Sequence, residues 1–258
     1  MQLIKSGFLF YCTVVFLIVH LFSCQSPHFY RPKSLEPVLL THEKQVTLNI
    51  TSGELPAYSI AYSPLPNFGL QAGAGHRSGD NTTYDETYFN PYLAAGYYKK
   101  VSSAGLAEIY GGAGIYSYKN KIDAPVKNIS FSNYFLQPSF ALLYKNIDVA
   151  FTFRTDYLKR NKTVLDSNAP PDMSSRQYSF LKFDNYFFLQ PGVTVRGGIK
   201  NIKLVLQMSK SIPFSDKYSS LYGFTGTAFG GADMLDNKVK LAIGLMVDFE
   251  DIIRLKSK

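Results

Sequence analysis

The chain has 258 residues, of which 15% are aromatic and 19 are Gly, and its formal net charge is +8. No long amphipathic helical pattern accompanies this composition, which argues against a helical or α/β enzyme and favours β-structure with aromatic surfaces. The basic excess is mild and contains neither a basic run nor a strip of basic and aromatic residues, so we expect no nucleic-acid partner.

Residues 1–23 have the pattern of a secretory signal peptide, with a positively charged start and an apolar run over residues 7–22. The run ends in Leu21-Phe22-Ser23-Cys24, which resembles the bacterial lipobox. A Leu stands three residues before the cysteine and a small residue directly before it. The resemblance implies that the signal is removed and that Cys24 carries a covalent lipid. The alternative is an ordinary secretory signal followed by a chance cysteine.

The number of cysteines agrees with lipidation. Cys12 would leave with the signal peptide, so that Cys24 would be the single cysteine of the mature chain. Neither a disulfide nor a thiolate metal site can then form within the chain.

Residues 24–44 are predicted to be a tether between the lipid and the folded domain. Pro27, Pro32 and Pro37 recur at five-residue spacing and keep the backbone extended. In lipoproteins of the Bacteroidota type, which this start resembles, an acidic cluster soon after the cysteine usually marks export to the cell surface. Gln25, Ser26 and Pro27 follow Cys24 here, so the resemblance implies that the lipid stays in the periplasmic leaflet.

Residues 45–258 are predicted to be one β-domain, because ten segments place apolar side chains at every second position. The clearest hairpin runs from Tyr134 to Asp156 and turns at Lys145-Asn146. Its first strand has an apolar face with Tyr134 at one end and Tyr144 at the other, a length that suits a tilted membrane-spanning strand. The last strand ends in Phe249, which resembles the C-terminal signal of bacterial outer-membrane barrels.

The connections between the predicted strands alternate in length. Short turns follow the second, fourth, sixth and eighth strands, whereas long polar segments are predicted at His76 to Glu86, Lys119 to Asn128, Leu158 to Ser175 and Ser211 to Asn237. This asymmetry predicts an all-β fold, an antiparallel up-and-down β-barrel of 8–10 strands with short periplasmic turns and longer outer loops. The first two strands are short for spanning, so eight spanning strands are the alternative. The pattern resembles Bacteroidota-type outer-membrane β-barrel lipoproteins, within the class of small barrels that includes OmpA and OmpW.

If the apolar faces meet lipid, the opposite faces line a lumen in which charged groups must pair. We predict that Asp148 lies next to Arg196 and that Lys203 lies next to Asp248. The whole predicted luminal network is Glu108, Asp148, Arg154, Arg196, Lys203 and Asp248. Such a network plugs and stabilises a small barrel. A selective pore is the less favoured alternative, because side chains mostly fill a barrel of this size.

One histidine, His76, lies near a predicted strand end, where a catalytic residue could stand. His76 stands beside Arg77, Ser78, Asp80 and Asp85 on a predicted outer loop. Lipid A deacylases and omptin-type proteases use His with Ser, Asp or Glu at the outer rim of a barrel, but no motif of either family is recognisable. We therefore predict no catalytic residue, no metal ligand and no cofactor besides the lipid on Cys24.

These features together predict a non-enzymatic outer-membrane β-barrel lipoprotein with a structural or accessory role in the bacterial envelope. Its expected partners are outer-membrane lipid and a larger envelope complex. The alternative is a lipid-tethered, soluble periplasmic β-barrel that binds an apolar ligand inside, because the same alternation of side chains serves both arrangements. Tyrosines at the ends of the apolar faces favour the membrane.

Overall fold

The computed structural model describes residues 33–53, 55–81, 84–120, 126–165, 184–199, 201–214 and 239–249. No helix in this part of the chain is long and apolar enough to cross a membrane. The predicted signal peptide and the lipobox with Cys24 lie outside the described residues.

The described chain consists of strands and their connections. The strands are β1 Val46–Ser52, β2 Ala57–Leu65, β3 Phe68–Asn81, β4 Tyr84–Lys100, β5 Gly105–Asn120, β6 Val126–Leu143, β7 Ile147–Leu165, β8 Asn185–Ile199, β9 Ile202–Lys210, β10 Ile212–Pro213 and β11 Val239–Asp248. β10 is a two-residue strand that pairs with β8 only. The other ten strands build the body of the domain.

These ten strands close into one antiparallel up-and-down β-barrel. Neighbours in sequence pair from β1 to β9, and β11 lies between β9 and β1. Closure is visible at Leu245, which stands opposite Ile50 on β1 and Leu204 on β9. The predicted fold class is confirmed, with ten strands in the barrel rather than eight.

The two ends of the barrel differ in their connections. At one end, here called the short-turn end, the strands are joined by residues 66–67, 101–104, 144–146 and 200–201. At the opposite end, here called the long-loop end, they are joined by residues 53–56, 82–83, 121–125, 166–184 and 211–238. The two longest connections therefore lie at the same end.

Three of the predicted loops are wrong in part, because the strands continue through them. β3 and β4 pair as far as Asn81 opposite Tyr84, inside the predicted loop from His76 to Glu86. Likewise, β5 reaches Asn120 and β7 reaches Leu165. The backbone hydrogen-bond ladder continues there although the side chains no longer alternate between polar and apolar, and only that alternation is visible in the sequence.

The side chains of the barrel strands are apolar outside and polar inside. Leu93 on β4 is 70% exposed on the outer surface, whereas Arg154 on β7 is 2% exposed inside. The same arrangement holds along β1 and β2, where exposed Ile50 and Ile60 alternate with buried Asn49 and Ser59. This is the reverse of the order that water imposes on a soluble protein, in which apolar surface is removed from solvent.

The interior is filled differently at its two ends. Near the long-loop end, β4, β5, β6 and β8 contribute a cluster of buried aromatic rings with centroids 6.1–6.5 Å apart, namely Tyr88, Tyr116, Phe131, Tyr186 and Phe188. Towards the short-turn end, charged and polar inward side chains stand beside an apolar cluster that includes Tyr98, Leu106 and Tyr110. The candidate functional site lies in this part of the lumen.

Candidate functional site: the plugged lumen

The lumen contains a segment of the chain that precedes the first strand. Lys33–Leu40, here called the luminal plug, runs inside the barrel and is buried along most of its length. Leu35, Val38 and Leu40 are fully buried there. Residues 33–40 of the predicted tether 24–44 are therefore not a solvent-exposed linker. Their burial removes the apolar side chains from water.

The barrel wall holds the plug by its backbone. The Glu108 carboxylate accepts hydrogen bonds from the N–H groups of Val38 (3.0 Å) and Leu39 (2.8 Å). Successive backbone N–H groups that converge on an anion form a strong, directional contact. Leu39 has a φ of 56°, a left-handed conformation that is uncommon for a residue with a branched apolar side chain. The two bonds to Glu108 help to hold this conformation.

Two carbonyl groups of the plug accept further bonds from the wall. Arg196 on β8 donates from its guanidinium to the carbonyl of Pro37, and Gln137 on β6 donates to the carbonyl of Glu36 at 3.1 Å. Together with Glu108 on β5, three strands therefore bind the plug backbone. These contacts supply partners that a buried backbone segment outside a sheet otherwise lacks.

The charged side chains of the plug also find partners inside the barrel. The ammonium of Lys33 lies over the ring of Tyr92, 2.7 Å from its centroid, and 5.2 Å from the centroid of Phe135. The Glu36 carboxylate accepts hydrogen bonds from Tyr92 (3.0 Å) and Thr51 (3.3 Å). A buried cation on aromatic faces and a buried carboxylate with hydroxyl donors are both compensated for the loss of water.

An ion pair of the wall lies next to Lys33. Arg154 binds the Asp156 carboxylate through two nitrogens, at 3.0 and 2.8 Å. Its guanidinium also stacks on Phe135, 3.9 Å from the ring centroid. The middle of the lumen therefore holds two basic and two acidic side chains, one of each from the plug and one of each from the wall.

The structure places the six residues of the predicted network on the inner side of the barrel. Asp148 stands opposite Arg196 on the neighbouring strand, as drawn from the sequence. Lys203, however, makes its ion pair with Asp148 at 2.6 Å rather than with Asp248. Asp248 accepts a hydrogen bond from Gln45 at 2.6 Å. Asp148 and Arg196 lie at the same level along their strands, as the sequence predicted. The predicted partner of Lys203 is wrong.

Sequence reasoning missed Lys33, Glu36 and Tyr92, which together occupy the middle of the lumen. The first two lie in the predicted tether, and Tyr92 does not belong to the predicted luminal network. One signal was available, because Leu35-Glu36-Pro37-Val38-Leu39-Leu40 has four apolar residues in six, which is unusual for a solvated linker.

His76 lies on the outer surface and not in the lumen. Its ring meets Phe89 edge-on, with the centroids 6.3 Å apart. In the part of the chain that the structure describes, the imidazole has no hydrogen bond to a Ser, Asp or Glu side chain. The side chains of Asp80 and Asp85 lie outside the described residues.

Among the described residues, no group of three or more His, Cys, Asp or Glu side chains is arranged to hold a metal ion. No protein-family profile matches this sequence, and no curated protein matches it either.

Proposed function

We propose that this protein is a non-enzymatic β-barrel lipoprotein of the bacterial outer membrane, anchored through Cys24, with a structural or accessory role in the envelope. The observation that carries the proposal is the reversed side-chain order of the closed barrel, with large apolar groups outside and paired charges inside. In water, the exposed apolar surface would cost free energy at every strand, whereas a bilayer accepts it.

The positions of the exposed tyrosines support a membrane. Tyr62, Tyr97 and Tyr144 are exposed near the short-turn end, and Tyr134 and Tyr157 are exposed towards the other end. Tyr134 and Tyr144 lie about 33 Å apart along their strand, which is about 25 Å along the barrel axis at the usual tilt. That distance matches the apolar band between two aromatic girdles of an outer-membrane barrel.

The alternative of a soluble barrel with an apolar ligand inside has less support. It requires an apolar space in the lumen, but the wall around the plug carries many charged and polar side chains, and Val38, Leu39 and Leu40 already pack into its apolar cluster. The space that a ligand would need is occupied by Lys33–Leu40. The same plug argues against an open channel. It favours a structural or accessory role of the filled barrel.

The experiment compares protein from washed outer membranes before and after boiling. A closed barrel in the bilayer gives a faster unboiled band in SDS gels and resists carbonate and urea extraction. Cys24→Ala should lose incorporation of radioactive palmitate and keep the band shift. Complete extraction of the parent protein by carbonate, with no shift of the unboiled band, would refute the membrane proposal.

A further inference from the structure

The order of contacts along residues 33–45 gives the direction in which this segment crosses the barrel. At the short-turn end, the N–H of Lys44 donates to the Ser63 carbonyl at 2.6 Å, close to the end of β2. Further inside, Val38 and Leu39 bind Glu108, which stands near the start of β5. Glu36 then reaches Tyr92 in the middle of β4. The contacts thus move away from the short-turn end as the residue number falls.

Ser34 lies close to the opposite end. It lines a small cavity with Leu55, Ser209 and Lys240. Leu55 belongs to connection 53–56 at the long-loop end, and Ser209 and Lys240 stand at the long-loop ends of β9 and β11. The segment therefore runs from the short-turn end at Gln45 to the middle of the lumen at Lys33, and Ser34 shares a cavity with residues at the long-loop ends of β9 and β11.

The wall leaves room for a side chain of the plug at a glycine. Gly192 on β8 faces Leu35, and a Cβ atom at Gly192 would lie 2.6 Å from the Leu35 Cδ1 and 3.1 Å from the Ser209 Cβ. On the other side of the lumen, the buried side chains of Tyr92, Phe135 and Arg154 fill the space around Lys33. Between Lys33 and the short-turn end, the lumen is occupied by the plug itself and by buried side chains of the wall.

We propose that the chain N-terminal to Lys33 leaves the barrel at the long-loop end. Cys24 is nine residues before Lys33, a distance of about 30 Å in extended chain. The lipid on Cys24 then inserts into the leaflet on the side of the long loops, which is the cell surface if those loops face outward. This inference rests on the proposed membrane insertion and lipidation, and it replaces the expectation of a lipid in the periplasmic leaflet.

The test places one site-specific protease sequence at three positions of the full chain, each in a separate variant. The sites lie between Ser26 and Pro27, between Ser167 and Asn168 in the connection 166–184, and between Ser102 and Ser103 in a short turn. Protease is added to intact cells and to cells with a permeabilised outer membrane. We expect the Ser26 and Ser167 sites to be cut in intact cells, with loss of the full-length band, and the Ser102 site to be cut only after permeabilisation.

Cleavage of the Ser26 site under the same conditions as the Ser102 site, and not under those that cut the Ser167 site, would overturn the inference. The comparison is internal to the barrel, so it holds for either orientation in the membrane. The band shift and carbonate resistance of each variant are measured in parallel, and their loss in the parent protein would instead refute the proposed function. If the insertion after Ser26 prevents assembly, Ser26→Cys is labelled with an impermeant maleimide, with Ser103→Cys as the control. Labelling of Ser26→Cys in intact cells supports the inference, and labelling only together with Ser103→Cys contradicts it.

Discussion

The carboxylate of Glu108 accepts the backbone N–H of Leu39 at 2.8 Å, although the two residues are 69 positions apart in the chain. The bond joins the luminal plug to the wall of the barrel. Because the same carboxylate also accepts the N–H of Val38, one side chain holds the turn of the plug at which Leu39 adopts its left-handed conformation.

Glu108→Gln should therefore lower the stability of the barrel. The amide keeps the size of the side chain but loses the charge and one acceptor oxygen, and hydrogen bonds to a charged group contribute about 1.5–3 kcal/mol. We expect the unboiled band to convert to the unfolded band at a temperature several degrees lower. Glu43→Gln is the matched control because Glu43 is exposed and, among the described residues, pairs with the exposed Lys44 at 3.9 Å. Equal conversion temperatures for the two variants would contradict the role of Glu108.

A larger residue at Gly192 should displace the plug. The Cβ of Gly192→Leu would lie within 2.6 Å of Leu35, so the plug must shift, at a cost of about 1–3 kcal/mol. We expect a larger ion conductance than the parent in planar bilayers and partial recovery when Leu35→Ala is added. Gly197→Leu on the same strand is the control, because a Cβ there meets nothing within 4 Å. A conductance equal to that of the parent would mean that the contact between Gly192 and the plug does not limit ion flow through the barrel.

The ion pair between Asp148 and Lys203 provides a test of the register of the inner face. Both side chains are largely buried, and removal of one member of a buried pair costs about 3–5 kcal/mol. Asp148→Asn and Lys203→Met should each destabilise the barrel, and the double variant should lose less than the sum by about 1–3 kcal/mol. Urea unfolding in lipid vesicles measures all three. Strictly additive losses would mean that the two residues do not interact.

Charged substitutions on the outer surface distinguish a membrane from water. Leu93 is exposed in the middle of β4, and Val101 is exposed beside the end of the same strand. In a bilayer, Leu93→Arg should cost about 2–4 kcal/mol and Val101→Arg about 0–1 kcal/mol. The measurement is the fraction that folds in lipid vesicles over a urea series. A similar, small effect of both substitutions would indicate that this surface faces water.

The sequence by itself determined the strands and the all-β class. The alternation along Ile147, Val149, Phe151 and Phe153 is a property of one strand, because successive side chains point to opposite faces wherever the backbone is extended. The same local rule predicted that Asp148 and Arg196 share a height. It failed between His76 and Glu86, where strand pairing continues through polar residues and is carried by backbone groups that do not differ between residue types.

Only the tertiary structure decided which face of the strands points inward and what fills the lumen. Alternation separates two faces but does not orient them, and closure of ten strands is what turns the polar face into an enclosed space. The plug then follows from that space, because Glu108, Gln137 and Arg196 come from three separate strands and meet the backbone of residues 36–39 only after closure. The apolar residues from Leu35 to Leu40 indicate that this segment is buried, but they do not name its partners, because the partners of a buried backbone segment are set by the shape of the cavity.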